Sequence, residues 1–129
     1  MKKAVAIKEF TDLHAWKESH KLVILTYSVT KKFPKEELFG LVNQMRRAAV
    51  SITSNIAEGF GRHSMKERVQ FYYMAQGSLL ELKNQFILAR DINYLDENAF
   101  LDLIEQAEKS HRLLQGLLSK SKQLVSLAS

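Results

Sequence analysis

Apolar residues recur at three- and four-residue steps through four long stretches of this chain, and the punctuation between them falls at only three places: Phe33-Pro34, residues 59–63 and residues 93–96. That period is the signature of helices that bury one face. The predicted fold class is all-α, an antiparallel up-down-up-down four-helix bundle, because short links place successive helices side by side. Predicted helices cover about residues 13–32, 36–58, 65–92 and 97–122 of one domain spanning 1–129, with residues 1–11 as a basic tail. The lone proline, Pro34, and five glycines in 129 residues leave little material for turn-rich β structure.

Each boundary has a local reason. Thr11 or Asp12 is expected to cap the first helix, whose inward face reads Leu13, Trp16, His20, Val23 and Tyr27, and Pro34 ends it. The second carries Leu38, Leu41, Met45, Ala48, Ile52 and Asn55, flanked by Val42, Ala49 and Ile56. Ser64 and Glu67 form a capping box for the third, which continues through Phe71, Ala75, Ser78, Leu82, Gln85 and Ala89. Asp96 caps the fourth, which buries Phe100, Leu103, Ile104, Ala107, His111, Leu114 and Leu118, and the closing "SLAS" is expected to fray.

The second stretch is unusual. Its apolar arc extends to Phe39, Val50 and Ala57, its only charges between Glu37 and Glu58 are Arg46 and Arg47, and no lysine occurs between Lys35 and Lys66. A helix apolar or small nearly all round is buried on two sides, which predicts a neighbouring subunit. Helix pairing around residue 62 brings Gln44 and Arg47 near Glu81, and an Arg47–Glu81 ion pair is expected. Asn55 and Glu58 read as a polar cluster fixing register, Glu58 reaching Arg62, Lys66 or the start of the third helix. Gly59 and Gly61 read as a helix stop that uses positive φ, and "GSL" at 77–79 as a notch where helices approach.

Charge is lopsided. Residues 1–35 hold eight lysines against three acids, and the rest of the chain balances at eleven each. A basic segment attracts nucleic acid or an acidic partner. Lys17, Lys21, Lys31, Lys32 and Lys35, with Arg46, are the candidate nucleic-acid contacts. With no cysteine, thiolate metal sites and disulfides are excluded. The opening "MKKAVAIKEF" has its apolar run cut by Lys8 and Glu9, too short for an export signal, so a cytoplasmic protein is expected. No run approaches the roughly 18 apolar residues of a membrane span.

Enzyme chemistry finds no support in the pattern. "GFGRHS" has Ser where a dinucleotide fingerprint needs its third Gly and follows a helix. A di-metal bundle needs two Glu-x-x-His pairs, and only Glu108 to His111 is present, with Glu58 and Glu81 on other helices. The Phe71-Tyr72-Tyr73 run fits core better than base stacking. No enzyme activity, cofactor, metal or small-molecule substrate is predicted.

The stretches "FTDLHAWKESHKL", "FP", "QMRRAAVSITSNIAEG" (44–59), "GSLLEL" (77–82) and "NYL" together resemble the 23S rRNA intervening-sequence protein family over about residues 10–122. That family is in turn similar to the accessory variability protein of diversity-generating retroelements, a basic pentameric bundle that binds a reverse transcriptase and nucleic acid. The resemblance implies an antiparallel four-helix bundle of bacteria assembling as a ring, usually a pentamer, without enzymatic activity. Its characteristic positions fall here on Gln44, Arg46, Arg47, Ser51, Asn55, Glu58, Gly59, Ser78 and Glu81, with Thr53 where many relatives have Pro. The expected function is an oligomeric bundle binding structured RNA or DNA. A scaffold for an acidic protein partner, or a metal enzyme using Glu58, Glu81, Glu108 and His111, remain the other readings.

Overall fold

A computed structural model describes residues 6–128; the first five residues of the basic tail, with Lys2 and Lys3, lie outside it. The described residues form four α-helices and no strand: α1 (His14–Thr30), α2 (Asn43–Phe60), α3 (Met65–Asp91) and α4 (Glu97–Ala128). Contacts between Ser51 and Ser78 and between Gly59 and Phe71 show α2 and α3 running in opposite directions. Lys83 with Glu108 and Lys122 with Tyr73 show the same for α3 and α4. Among the described residues, no helix is long and apolar enough to cross a membrane.

The core is a continuous cluster fed by all four helices, with Leu22, Met45, Ile52, Leu79, Phe86, Leu103 and Leu114 each fully or almost fully buried. Ser64 accepts the N–H of Glu67 (3.1 Å) and Asp96 that of Ala99 (2.7 Å), so both later helices start on side-chain caps. Asn93, in the left-handed region at φ 68°, turns the chain out of α3, and Tyr94 N–H bonds back to the Ala89 carbonyl at 2.8 Å.

The fold corrects several expectations. Neither Thr11 nor Asp12 caps α1: Asp12 instead accepts the N–H groups of Lys8 and Glu9 (3.0 Å each), closing the 3₁₀ turn Phe10–Asp12 ahead of the helix. These backbone bonds hold its carboxyl below the usual range. The inward face of α1 is Ala15, Ser19, Leu22, Val23, Thr26 and Thr30, and His20 and Tyr27 are exposed. The face is thus turned by one residue, about 100°. Small residues permit the turn: Thr26 bonds the Leu22 carbonyl (2.8 Å) and Thr30 that of Thr26 (2.7 Å), so their hydroxyls enter the core already satisfied. Tyr27 stays outside, and Trp16, half buried against the core, stacks on His20 at 4.7 Å.

The second helix is not continuous from 36. A 3₁₀ turn (Lys35–Glu37) and a π turn (Leu38–Val42) precede α2, and Gly40 breaks the helical backbone at φ −109°, ψ −112°. Leu38 is left half exposed. On α3, Tyr72, Leu79 and Phe86 are also core, and Phe71 and Ser78 are only half buried. The last helix continues to Ala128, into the segment expected to fray, whose final Ser129 lies outside the described residues.

Candidate nucleic-acid and assembly surfaces

Several of the family-motif residues meet along the α2–α3 seam. Asn55 Nδ2 donates to the Ser51 carbonyl (2.8 Å) and to Ser51 Oγ (3.1 Å). Ser51 Oγ lies 2.8 Å from Ser78 Oγ. Ser51 Oγ thus accepts from Asn55 and shares a second hydrogen bond with Ser78, in which either hydroxyl can donate, linking the helices through one polar chain. Beside this chain, Gln44, Arg47, Ser51, Ser78 and Glu81 line one shallow groove.

The expected Arg47–Glu81 ion pair does not form within the protomer. Both side chains are exposed, and Glu81 accepts only a long bond from Gln85 at 3.4 Å. Glu58 is also exposed, with no ion pair to Arg62 or Lys66 among those the described residues form. Arg62 instead covers the Phe71 ring at 4.5 Å, and Arg68 covers Phe60 at 5.1 Å while its Nε–H bonds the Arg62 carbonyl at 2.9 Å. Those aromatic attractions outcompete an exposed ion pair, which is worth little in water.

Gly59 is buried inside α2, with no positive φ; a Cβ there would lie 2.8 Å from Phe71 Cβ and 2.8 Å from the Tyr72 ring. Close helix approach, rather than a turn, is what excludes a side chain. Gly77, expected at such an approach, faces open space, and Ser78 makes the contact instead.

Among the candidate cations, Lys17, Lys21, Lys31, Lys32 and Lys35 are all exposed. Lys17, Lys21 and Lys31 share one side of α1, since steps of 4 and 14 residues keep them within about 80° around the helix. Lys21 is engaged by Glu18 at 2.8 Å, which reduces its share of the field. Lys31 and Lys35 rim a groove with Arg46, whereas Lys17 stands about 21 Å back along the helix from Lys31. Arg46 is fixed: its Nε–H donates to Thr30 Oγ1 (3.0 Å) and its guanidinium lies 4.7 Å over the Tyr27 ring. Tyr27 and Thr30 are not legible as its partners in the sequence, where spacing assigns Tyr27 to the core.

His111 sits half buried between α3 and α4. Lys83 Nζ donates to its Nδ1 (3.0 Å) and pairs with Glu108, and Nε2 lies 3.4 Å from the Gln76 amide. With Nδ1 accepting, the neutral ring carries its proton on Nε2, which faces the Gln76 amide nitrogen. Burial first, then the Lys83 ammonium, push this imidazole below its ordinary pKa, with Glu108 opposing. The unfolded chain therefore binds this proton before the folded one does. The cluster's full stability is present above the unfolded value of about 6.5 and is lost as pH falls toward the folded value. The thermal midpoint should drop between about pH 7 and pH 5, and His111→Gln should flatten that slope; an unchanged slope would place the effect elsewhere. The lowered carboxylates Glu18 and Glu108 act in a separate window, below their usual value of 4.5.

The four residues of the metal reading are not gathered: Glu108 is tied to Lys83, and no group of three metal-ligating side chains occurs among the described residues. That donor set does not fit a di-metal centre.

The architecture defines an all-α bundle with open grooves along its helix seams. Residues 11–116 match the model of the 23S rRNA-intervening sequence protein family, and the chain belongs to that family. Its fold is similar to the crystal structure of a protein of unknown function from the S23 ribosomal protein family of Bacteroides thetaiotaomicron: TM-score 0.75, 17% identity, covering 81% of this chain and 95% of that one. No curated protein matches it.

Proposed function

We propose that this protein is a non-enzymatic bundle that assembles into a homo-oligomer, a pentameric ring being favoured, and binds structured RNA or DNA through its basic surface. The observation carrying the reading is the convergence of Lys31, Lys35 and the anchored Arg46 on one groove at the end of α1. Lys31 and Lys35 belong to the segment that carries the excess charge of the sequence. The family's name, drawn from intervening sequences of 23S rRNA, supports an RNA partner. One or two phosphate contacts per subunit are weak alone. Repeated around an oligomer they gain affinity through effective concentration and become steeply salt-dependent.

Titrating the purified protein into labelled structured RNA and duplex DNA at several salt concentrations tests this. Affinity should fall by at least about tenfold between about 50 and 200 mM salt, and Lys31→Glu, Lys32→Glu and Lys35→Glu combined should abolish binding. No binding even at low salt would overturn the reading and turn attention to an acidic protein partner.

A further inference from the structure

The groove rimmed by Lys31, Lys35 and Arg46 has an apolar floor. Phe33, Leu38 and Val42 line it, and its volume is about 400 Å³, at the small end of ligand clefts. Phosphates alone would need the cations and no such floor. Leu38 is 49% exposed, and Phe39, the next residue along the chain, is 89% exposed, both presented by the π turn that contains the break at Gly40. An aromatic ring held almost wholly in water is costly unless something covers it. Of the two acids that follow Lys35, Glu36 is exposed and Glu37 accepts the Tyr94 hydroxyl at 2.8 Å.

Cations at the rim, an apolar floor and a free aromatic ring are complementary to a nucleotide whose phosphate is charged and whose base is out of its stack. Arg46 is suited to the phosphate: Nε is spent on Thr30 and the ring of Tyr27 holds the guanidinium plane, so its terminal N–H groups are positioned before any ligand arrives. Lys31 and Lys35 add mobile charges. A continuous duplex keeps its bases stacked and would leave the floor and Phe39 wet.

Resting on the nucleic-acid reading above, we infer that this groove receives an unpaired nucleotide, so that the protein selects loops, bulges or single strands over uninterrupted duplex. Base stacking on aromatic and apolar side chains is strong enough to discriminate between them.

The test uses the full chain, with the mass of each variant checked by light scattering. Labelled oligouridylate and an RNA duplex with the same number of phosphates are compared at one salt concentration. Oligouridylate should bind at least about tenfold more tightly. Phe39→Ala with Leu38→Ala should weaken oligouridylate binding about tenfold and leave duplex binding unchanged, whereas Lys31→Gln with Lys35→Gln should weaken both. Equal affinity for the two polymers, or no effect of the Leu38 and Phe39 changes, would overturn the inference and leave a protein that reads phosphates only. A lower mass in the Leu38 and Phe39 variant would overturn it by assigning the surface to a second copy, as would a polyglutamate peptide competing with the same residue dependence, by assigning it to a protein. If neither polymer binds, the nucleic-acid reading itself falls.

Discussion

Gly59→Ala is expected to cost about 2 kcal/mol of stability, while Gly77→Ala, the same substitution on the next helix, adds about 0.8 kcal/mol. On helix propensity alone both should stabilise by about 0.8–1 kcal/mol, since alanine loses less backbone freedom than glycine. What separates them is the neighbour. A Cβ at Gly59 meets Phe71 Cβ and the Tyr72 ring at 2.8 Å, and the first of these is fixed to the α3 backbone. Tyr72 has nowhere to go, being 1% exposed, and burial has already raised its hydroxyl pKa. The methyl can enter only by pushing α2 and α3 apart, an overpacking cost of about 3 kcal/mol from which the propensity gain is subtracted. A Cβ at Gly77 meets nothing within 4 Å. Urea unfolding of both variants at one protein concentration decides the matter, because association would otherwise contribute to apparent stability. Two changes of the same sign would show that the α2–α3 spacing is not fixed at Gly59.

The same pair of glycines shows where a sequence stops being informative. Spacing reveals that a helix has a face, and the lengths and links of four such faces define the bundle. It does not reveal which small residues lie at a crossing, since that depends on how two backbones meet. In the sequence Gly59 therefore reads as a turn residue and Gly77 as the notch. For α1 the failure has another cause: counting large apolar side chains favours Trp16 and Tyr27, but the core accepts Ser19, Thr26 and Thr30. Thr26 and Thr30 satisfy their hydroxyls within the helix, whereas Ser19 Oγ is buried without a protein partner. Pattern reasoning cannot foresee that buried Ser19. The lysines of the candidate groove are readable as a charge excess, but their meeting with Arg46 depends on the break at Gly40, which periodicity smooths over.

The apolar breadth of α2 leads to the expectation that Arg47→Glu, or Glu81→Arg, splits the proposed oligomer into smaller species. Val50 and Leu80 are 39% and 52% exposed, and Arg47 and Glu81 stand in the shared groove with no ion pair between them. Lysine is absent from this part of the chain and arginine is kept, as at the centres of protein interfaces. An arginine and a glutamate that line one groove without pairing are free to pair with a second copy, where they would be desolvated together. Reversing one of them would bury two like charges, at a cost of about 2–5 kcal/mol per contact. Each single variant should show a lower mass by light scattering. Mixing the two variants should restore association at contacts between unlike copies, though an odd-membered ring keeps one like-charge contact, because the carboxylate introduced at position 47 of one copy then faces the guanidinium introduced at position 81 of the other. Neither variant alone holds opposite charges at the two positions, so a pair confined within one chain could not be rescued in this way. Single variants that keep their full mass would place the subunit contact elsewhere on the bundle.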